Sequence, residues 1–547
     1  LWFGLLASVW ISYTTWVTEN QPEQATDQAG SAATQAVDDL PSASTQVDLP
    51  RLGGAAPGAA TAAEIDEATD PGRLVSVRTD VLDLVIDLNG GDLVRADITR
   101  YPVDKANPDI PMRLLDYDPA RFWVFQTGLI GREGAAAPTH EQTFSADQDN
   151  YALADGQESL EIRLGWTGPD GLSAEKVYTF RRGQYAIDLE LIVRNGGAGD
   201  WPTRAYAQMR RLHNPDDRSF LNVDSYSFTG PVLYDGNEYE KLDFDDLQRE
   251  PVDLSVENGW LASIQHHFLS AIVPLTEERT DYEARTIEGS YRLRLLSPSK
   301  VVAAGSELSY PLKLFVGPKL QEQLSAAAPG RDLRLTVDYG MLTVLSYPLF
   351  LILDFIQGYV QNWGLAIILT TFLIKLVFYK LTATSGRSMA KMRNLAPRMK
   401  ALQEKHKDDR QALSQAMMAL YKREKVNPAA GCLPILIQMP FFFAFYWVLI
   451  ESVEMRQAPF ALWIMDLSVR DPFFILPLLM GGAMLFQMRL NPAPPDPVQA
   501  RVMQIMPIAF TAMFAFFPSG LVLYWLTNTV VSIAQQWRIN QLVARES

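Results

Sequence analysis

The chain has 547 residues, with 63 acidic and 48 basic side chains, a formal net charge of −15 and a single cysteine. That length accommodates several ordinary domains. One cysteine excludes an intramolecular disulfide framework or a cysteine-rich metal site, and the acidity argues against a general nucleic-acid binder. A mean hydropathy near zero suits a soluble protein, but the two ends of the chain are so unlike that the average misleads.

In chain order, Leu1–Val17 is apolar and uncharged with three tryptophans, which predicts a transmembrane anchor. It lacks a good small-x-small site, so a retained anchor is preferred to a cleaved signal peptide. Residues 18–72 are rich in Ala, Gln, Thr, Asp, Pro and Gly with almost no aromatics, the composition of a disordered tether. From 73 to 318 the period is two. Leu160, Ile162, Leu164 and Trp166 alternate with polar residues, and so do Ile187, Leu189, Leu191 and Val193. Turn signals such as Asn89-Gly90-Gly91 and Asn195-Gly196-Gly197 separate these runs, which predicts one antiparallel β-sandwich. His266 and His267 are adjacent in what reads as a strand, which would send their side chains to opposite faces.

Residues 319–362 read as a linker, with a short helix near 319–328 and an amphipathic helix near 341–361. The latter has Asp354, Gln357 and Gln361 breaking its apolar face, a mixture that suits the membrane interface, with a tilted span as the alternative. The insertion of further apolar runs at 364–381, 433–450, 472–488, 503–517 and 521–537 predicts five more spans. The fold class is an α-helical polytopic membrane protein of six spans with an all-β domain outside the bilayer, and both termini share one side.

Orientation follows from the basic residues of short connections. Residues 380–427 hold twelve basic and four acidic side chains, a net +8, whereas the rest of the chain sums to −23. That loop, a helical hairpin over 382–428, is cytoplasmic, as are the short loop 489–502 and both termini. The β domain then lies outside, in the periplasm of a two-membraned bacterium, and the spans cross its inner membrane.

Lys375 lies within the second span. An intramembrane charge is a functional-site candidate, although Lys380 is only about 7.5 Å further along a helix, so Lys375 could also snorkel to the cytoplasmic surface. Gln438, Gln487, Thr527, Asn528, Gln535 and Gln536 add polar groups to other spans. They serve either interhelical hydrogen bonding or a polar concavity open to the cytoplasm. The hairpin has a methionine-rich seam (Met389, Met392, Met399, Met417) and a basic exterior, which includes Arg387, Lys391, Arg393, Arg398, Lys400, Lys422 and Arg423. It suits contact with ribosomal RNA, anionic lipid or acidic protein, or packs only on itself.

The motifs Ser388–Arg393, Met418–Lys422, Lys425–Pro428, Gly431–Pro434, Gln438–Phe441, Arg456–Ile464 and Phe517–Trp525 stand in this order over the last 210 or so residues. This region resembles the YidC/Oxa1/Alb3 family of membrane protein insertases, and the whole chain resembles its Gram-negative form with a large periplasmic domain. The resemblance implies a five-helix core (363–547) around a hydrophilic groove and a periplasmic β-supersandwich similar to galactose mutarotases. It implies no enzymatic reaction and no cofactor. It also implies that the chain serves nascent membrane-protein clients, works with a Sec translocon and ribosomes, and contacts membrane lipid. Thr371, Gln438, Phe442, Tyr524 and Trp525 fall at groove or client-contact positions of the family. At Lys375 the family usually has arginine, so this chain keeps the charge and loses the planar fork.

Two other classes compete. A coupled transporter or channel would predict intramembrane carboxylates, and the core spans have none well inside them. A membrane-anchored periplasmic carbohydrate-binding or carbohydrate-processing protein would group acids or histidines in a sugar-sized cleft.

Overall fold

The computed structural model describes residues 73–105, 107–132, 136–214, 227–406, 409–424, 433–490 and 497–546. The expected anchor (1–17) and tether (18–72), the end of the expected hairpin (425–428) and residues 491–496 of the loop 489–502 lie outside these residues.

The period-two segment forms three sheets. A nine-stranded antiparallel sheet is centred on Ala186–Asn195, which pairs with Leu172–Arg181 on one side and Glu307–Pro318 on the other. A six-stranded sheet is built around Trp201–Leu212, and a five-stranded sheet carries Leu74–Arg78 and Asp92–Pro102. The alternation has the expected cause: Ile162, Leu164 and Trp166 are buried while Glu161 and Arg163, which flank Ile162, are exposed. The central strand, covered on both faces, also buries Ile192 out of phase. At the Asn89-Gly90-Gly91 turn Gly90 has φ +87°, and a Cβ there would strike the Asp92 carboxylate and the His140 carbonyl.

His266 and His267 correct the strand reading. They are the two turn residues between Trp260–Gln265 and Phe268–Pro274, with His267 at φ +67°. A two-residue turn reverses the chain instead of alternating it, so the two rings stack, with centroids 3.6 Å apart.

One charge lies in the β core. Lys176 donates to the carbonyls of Gly90 and Thr127, to Thr127 Oγ1 at 2.8 Å and to Asp92 Oδ1 at 2.8 Å. Burial holds the Lys176 ammonium below and the Asp92 carboxyl above their usual ranges, opposed by their mutual attraction.

Two short helices, α1 (Phe244–Arg249) and α2 (Gln321–Ala327), belong to this half of the chain. Beyond it come α3 (Thr343–Val360), α4 (Trp363–Val377), α5 (Tyr379–Lys405), α6 (Arg410–Arg423), α7 (Leu433–Glu451), α8 (Ile475–Leu490), α9 (Pro497–Phe514) and α10 (Ser519–Glu546). Gln361 at φ +50° ends α3, and the Asn362 side chain accepts from the Leu365 N–H to start α4. Chain direction changes again at Phe378, where α4 and α5 meet at 70°. Among the described residues one helix, Gly340–Val360, is long and apolar enough to cross a membrane unbroken, and the α4–α5 pair is so if taken as one bent span. Several helices turn large apolar side chains outward, including Phe355, Leu376, Val377, Leu478 and Ile508, each more than 60% exposed. A surface of that kind suits lipid and not water.

The halves meet at a buried polar junction. Glu451, the last residue of α7, accepts from Ser227 Oγ at 2.5 Å and lies 3.9 Å from Lys319 Nζ; both members of the pair are at most 2% exposed. Burial holds the Lys319 ammonium below its usual range, with Glu451 opposing. Tyr339 bridges Gln321 and Ser452, and His266 Nε2 lies 3.1 Å from the Ile450 carbonyl. Nearby, Arg456 donates to the carbonyls of Pro102 and Val103, clasping a β-hairpin tip to the loop after α7.

Two outcomes follow. Lys176→Met leaves Asp92 buried without its counter-charge and should cost about 3–5 kcal/mol, read as a lower urea midpoint of the full chain by tryptophan fluorescence. Glu454 has a buried oxygen with no partner among the described residues. Burial first, then the Asp354 charge, pushes its carboxyl from 4.5 up to about 7. The folded state therefore holds the extra proton: its stability is complete below about pH 4.5 and is lost as pH rises to about 7. Glu454→Gln should raise the melting temperature at pH 8, by the equivalent of about 1–3 kcal/mol, and change it little at pH 4.5.

Candidate functional site

Three helices build the site. On α4, Lys375 is placed by the cap at Asn362, whose amide also donates to the Phe460 carbonyl at 2.9 Å and so fixes the start of the helix. Gly364, in the first turn, lets the Phe460 ring lie against the backbone; a Cβ there would overlap it. Gln438 and Phe442 are one turn apart on α7, and Tyr524, Trp525 and Asn528 share the first half of α10.

Lys375 is 7% exposed. Its ammonium donates to Gln438 Oε1 at 3.3 Å and to Ser532 Oγ at 3.0 Å, so it turns inward between α7 and α10 instead of running toward Lys380. Among the described residues no carboxylate pairs with it, and both of its partners are neutral oxygens. Ser532 Oγ itself donates to the Asn528 carbonyl at 2.7 Å, which ties Asn528 to the cluster through its backbone. The Nε2 of Gln438 is buried without a partner among the described residues, as is the hydroxyl of Thr370. A buried ammonium held only by dipoles is costly and attracts an anion strongly.

Thr371, one turn before Lys375, is fully buried and donates to the Ile367 carbonyl at 2.6 Å, so its hydroxyl serves its own helix. The aromatic residues form a wall. Phe442 stacks on Tyr524 with centroids 6.0 Å apart and meets Trp525 edge-on at 4.6 Å; Phe445 and Phe514 close on the same two rings. The site is therefore polar at Lys375–Gln438–Ser532 and aromatic at Phe442–Tyr524–Trp525. Ser532 was missed in the sequence reading, although it is four residues after Asn528 and so lies on the same helical face.

The basic residues are elsewhere. Arg387, Lys391, Arg393, Arg398, Lys422 and Arg423 are exposed on α5 and α6, and the Lys400 side chain lies outside the described structure. Arg398 pairs with Glu424 at 2.8 Å across the hairpin, and the seam packs Met399 and Leu395 on Met392, Met417, Leu420 and Tyr421. Its first helix is held to α10 by Ala390 on Ile539 and Val543 and by Gln535 on Thr382.

Two family models match: one described as 60Kd inner membrane protein over residues 355–546, and one described as YidC periplasmic domain over residues 74–352. A Thioalkalivibrio sulfidiphilus protein named membrane protein insertase YidC is 46% identical, with 100% of this chain and 98% of that protein covered. One of the same name from Alkalilimnicola ehrlichii is 49% identical over 85% of this chain and 83% of that protein. A solved structure of an active YidC insertase aligns over 85% of this chain and 93% of that one, with 19% identity and a TM-score of 0.38. A β-rich periplasmic domain joined to a helical membrane region defines the class: a membrane protein insertase of the bacterial inner membrane, whose work is to insert client proteins and not to catalyse a covalent reaction. Within that class the chain belongs to the YidC family.

Gly364→Ala should force the Phe460 ring away from the start of α4, with an overpacking cost of about 1–3 kcal/mol. The measurement is a lower melting temperature of the purified full chain together with reduced client insertion.

Proposed function

We propose that the Lys375–Gln438–Ser532 cluster is the polar floor of a hydrated client groove, and that the Phe442–Tyr524–Trp525 wall is its apolar side. The single observation that supports this most directly is the buried ammonium with only neutral partners. In this reading the groove belongs to a core of five spans built on α4, α7, α8, α9 and α10, with the anchor as a sixth span. The basic hairpin and both termini are cytoplasmic, and α3 lies in the periplasmic interface.

The mechanism needs no nucleotide. Water and dipoles in the groove lower the cost of bringing a client's short polar tail partway into the bilayer. Lys375 attracts acidic residues of that tail; at about 4 Å and an intermediate effective dielectric this is worth about 4 kcal/mol. The client's apolar helix meanwhile passes along the aromatic wall into lipid, driven by about 25 cal/mol per Å² of apolar surface removed from water. The exposed cations of α5 and α6 are suited to a ribosome or to anionic lipid, and a Sec translocon is the partner for larger clients.

The test is insertion of a single-span client with an acidic tail into liposomes holding the full chain. Lys375→Ala should reduce insertion about tenfold or more, with a smaller effect on a client whose tail is neutral, and Lys375→Arg should retain it. Equal insertion by wild type and Lys375→Ala would overturn the electrostatic role.

A further inference from the structure

A cavity lies away from the proposed client site. It has a volume of about 620 Å³ and opens where the edge strand Tyr239–Lys241 of the nine-stranded sheet meets the segment 332–340 and the first turns of α3. Its polar lining holds both signs of charge: Lys241 and Arg334 against Glu240, Asp332 and Asp338. Lys241 pairs with Asp338, and Arg334 pairs with Asp332 at 3.1 Å and donates to Tyr347 Oη at 2.8 Å. Cations and anions thus alternate along one wall.

A hydroxyl without a partner and a helix carbonyl without its usual donor adjoin this wall. The hydroxyl of Tyr239, a lining residue, is buried with no partner among the described residues. Pro348 within α3 supplies no N–H to the carbonyl four residues earlier, that of Val344, another lining residue. Its mouth is apolar and open: the lining residue Val344 is 84% exposed, and Met341, between the lining residues Gly340 and Thr343 in sequence, is fully exposed.

We infer that this cavity binds the headgroup of an aminophospholipid of the outer leaflet, of the phosphoethanolamine type. The phosphate lies toward Arg334 and Lys241, the primary ammonium toward Asp338, Asp332 and the Val344 carbonyl, and the acyl chains run along Met341 and Val344. A zwitterion fits a wall of paired charges, because each end replaces one partner of an existing pair without leaving an uncompensated ion. An anionic headgroup without an amine meets three carboxylates, and a quaternary ammonium has no N–H to donate to the free acceptors. The inference rests on α3 lying in the membrane interface.

Native mass spectrometry of the full chain, released from mixed micelles with equal phosphatidylethanolamine, phosphatidylglycerol and phosphatidylcholine, tests it. One phosphatidylethanolamine should be retained per chain, about tenfold in preference to the other two, the effect of one charge-assisted hydrogen bond. Asp338→Asn and Arg334→Gln should each reduce that retention about tenfold. Equal retention of the three lipids by the wild-type chain, which needs no variant to fold, overturns the inference, and so does retention unchanged in either variant. A nitroxide at Phe355→Cys, 66% exposed on α3, separates the two readings. Relaxation by a water-soluble quencher but not by oxygen in lipid removes the interfacial placement itself, whereas lipid contact without selective retention removes only the headgroup site.

Discussion

A lysine ammonium almost enclosed between helices and given only neutral oxygens is the constraint around which the helical half is arranged. Such a group is tolerated only where neighbouring helices supply dipoles to it. Those dipoles come from residues far apart in the chain: Gln438 on α7 and Ser532 on α10. Closing three helices on Lys375 brings Phe442, Tyr524 and Trp525 together as well, so the polar and aromatic parts of the site are products of one packing arrangement. The outward faces of α4 and α8, rich in exposed leucine and phenylalanine, surround this polar cluster with apolar surface.

The second organising feature is electrostatic too, but of the opposite kind. Lys319 and Glu451 are both buried and face one another. Helix α7 therefore has its last residue fixed against Ser227 and Lys319, while its earlier turns carry Gln438 and Phe442. The β domain and the aromatic cluster are thus tied to different parts of one helix.

Much of this was legible in the amino-acid sequence, and the divide has a physical basis. Alternation in 160–166 and 187–193 marked the sheets because burial repeats with the pleat, and the methionine seam of the hairpin appeared at helical spacing. Lys375 and Gln438 stood out because polar groups are rare in apolar runs. Ser532 did not, since serine is unremarkable in a helix until its partner is known. The stacked His266–His267 pair was hidden because a two-residue turn differs from a strand by a few backbone angles and not by side-chain pattern. Lys319–Glu451 was beyond reach for a simpler reason: the partners are separated by two changes of architecture, and nothing local connects them.

The junction also bears on where the periplasmic domain can be cut from the helices. Ser227 belongs to the sheets, but Lys319, Gln321 and Tyr339 follow the last strand and complete the setting of Glu451. A cut made just before Lys319 removes the β sandwich and keeps the charge pair. One made after Tyr339 strands a carboxylate at the end of a membrane helix. The segment 319–339 is therefore shared: it completes the setting of Glu451 and is also bonded back to the sheets, by Gln323 to Tyr185 and Gly183 and by Arg331 to Trp260 and Thr276, so chimaeras that exchange periplasmic domains between relatives must preserve its contacts on both sides.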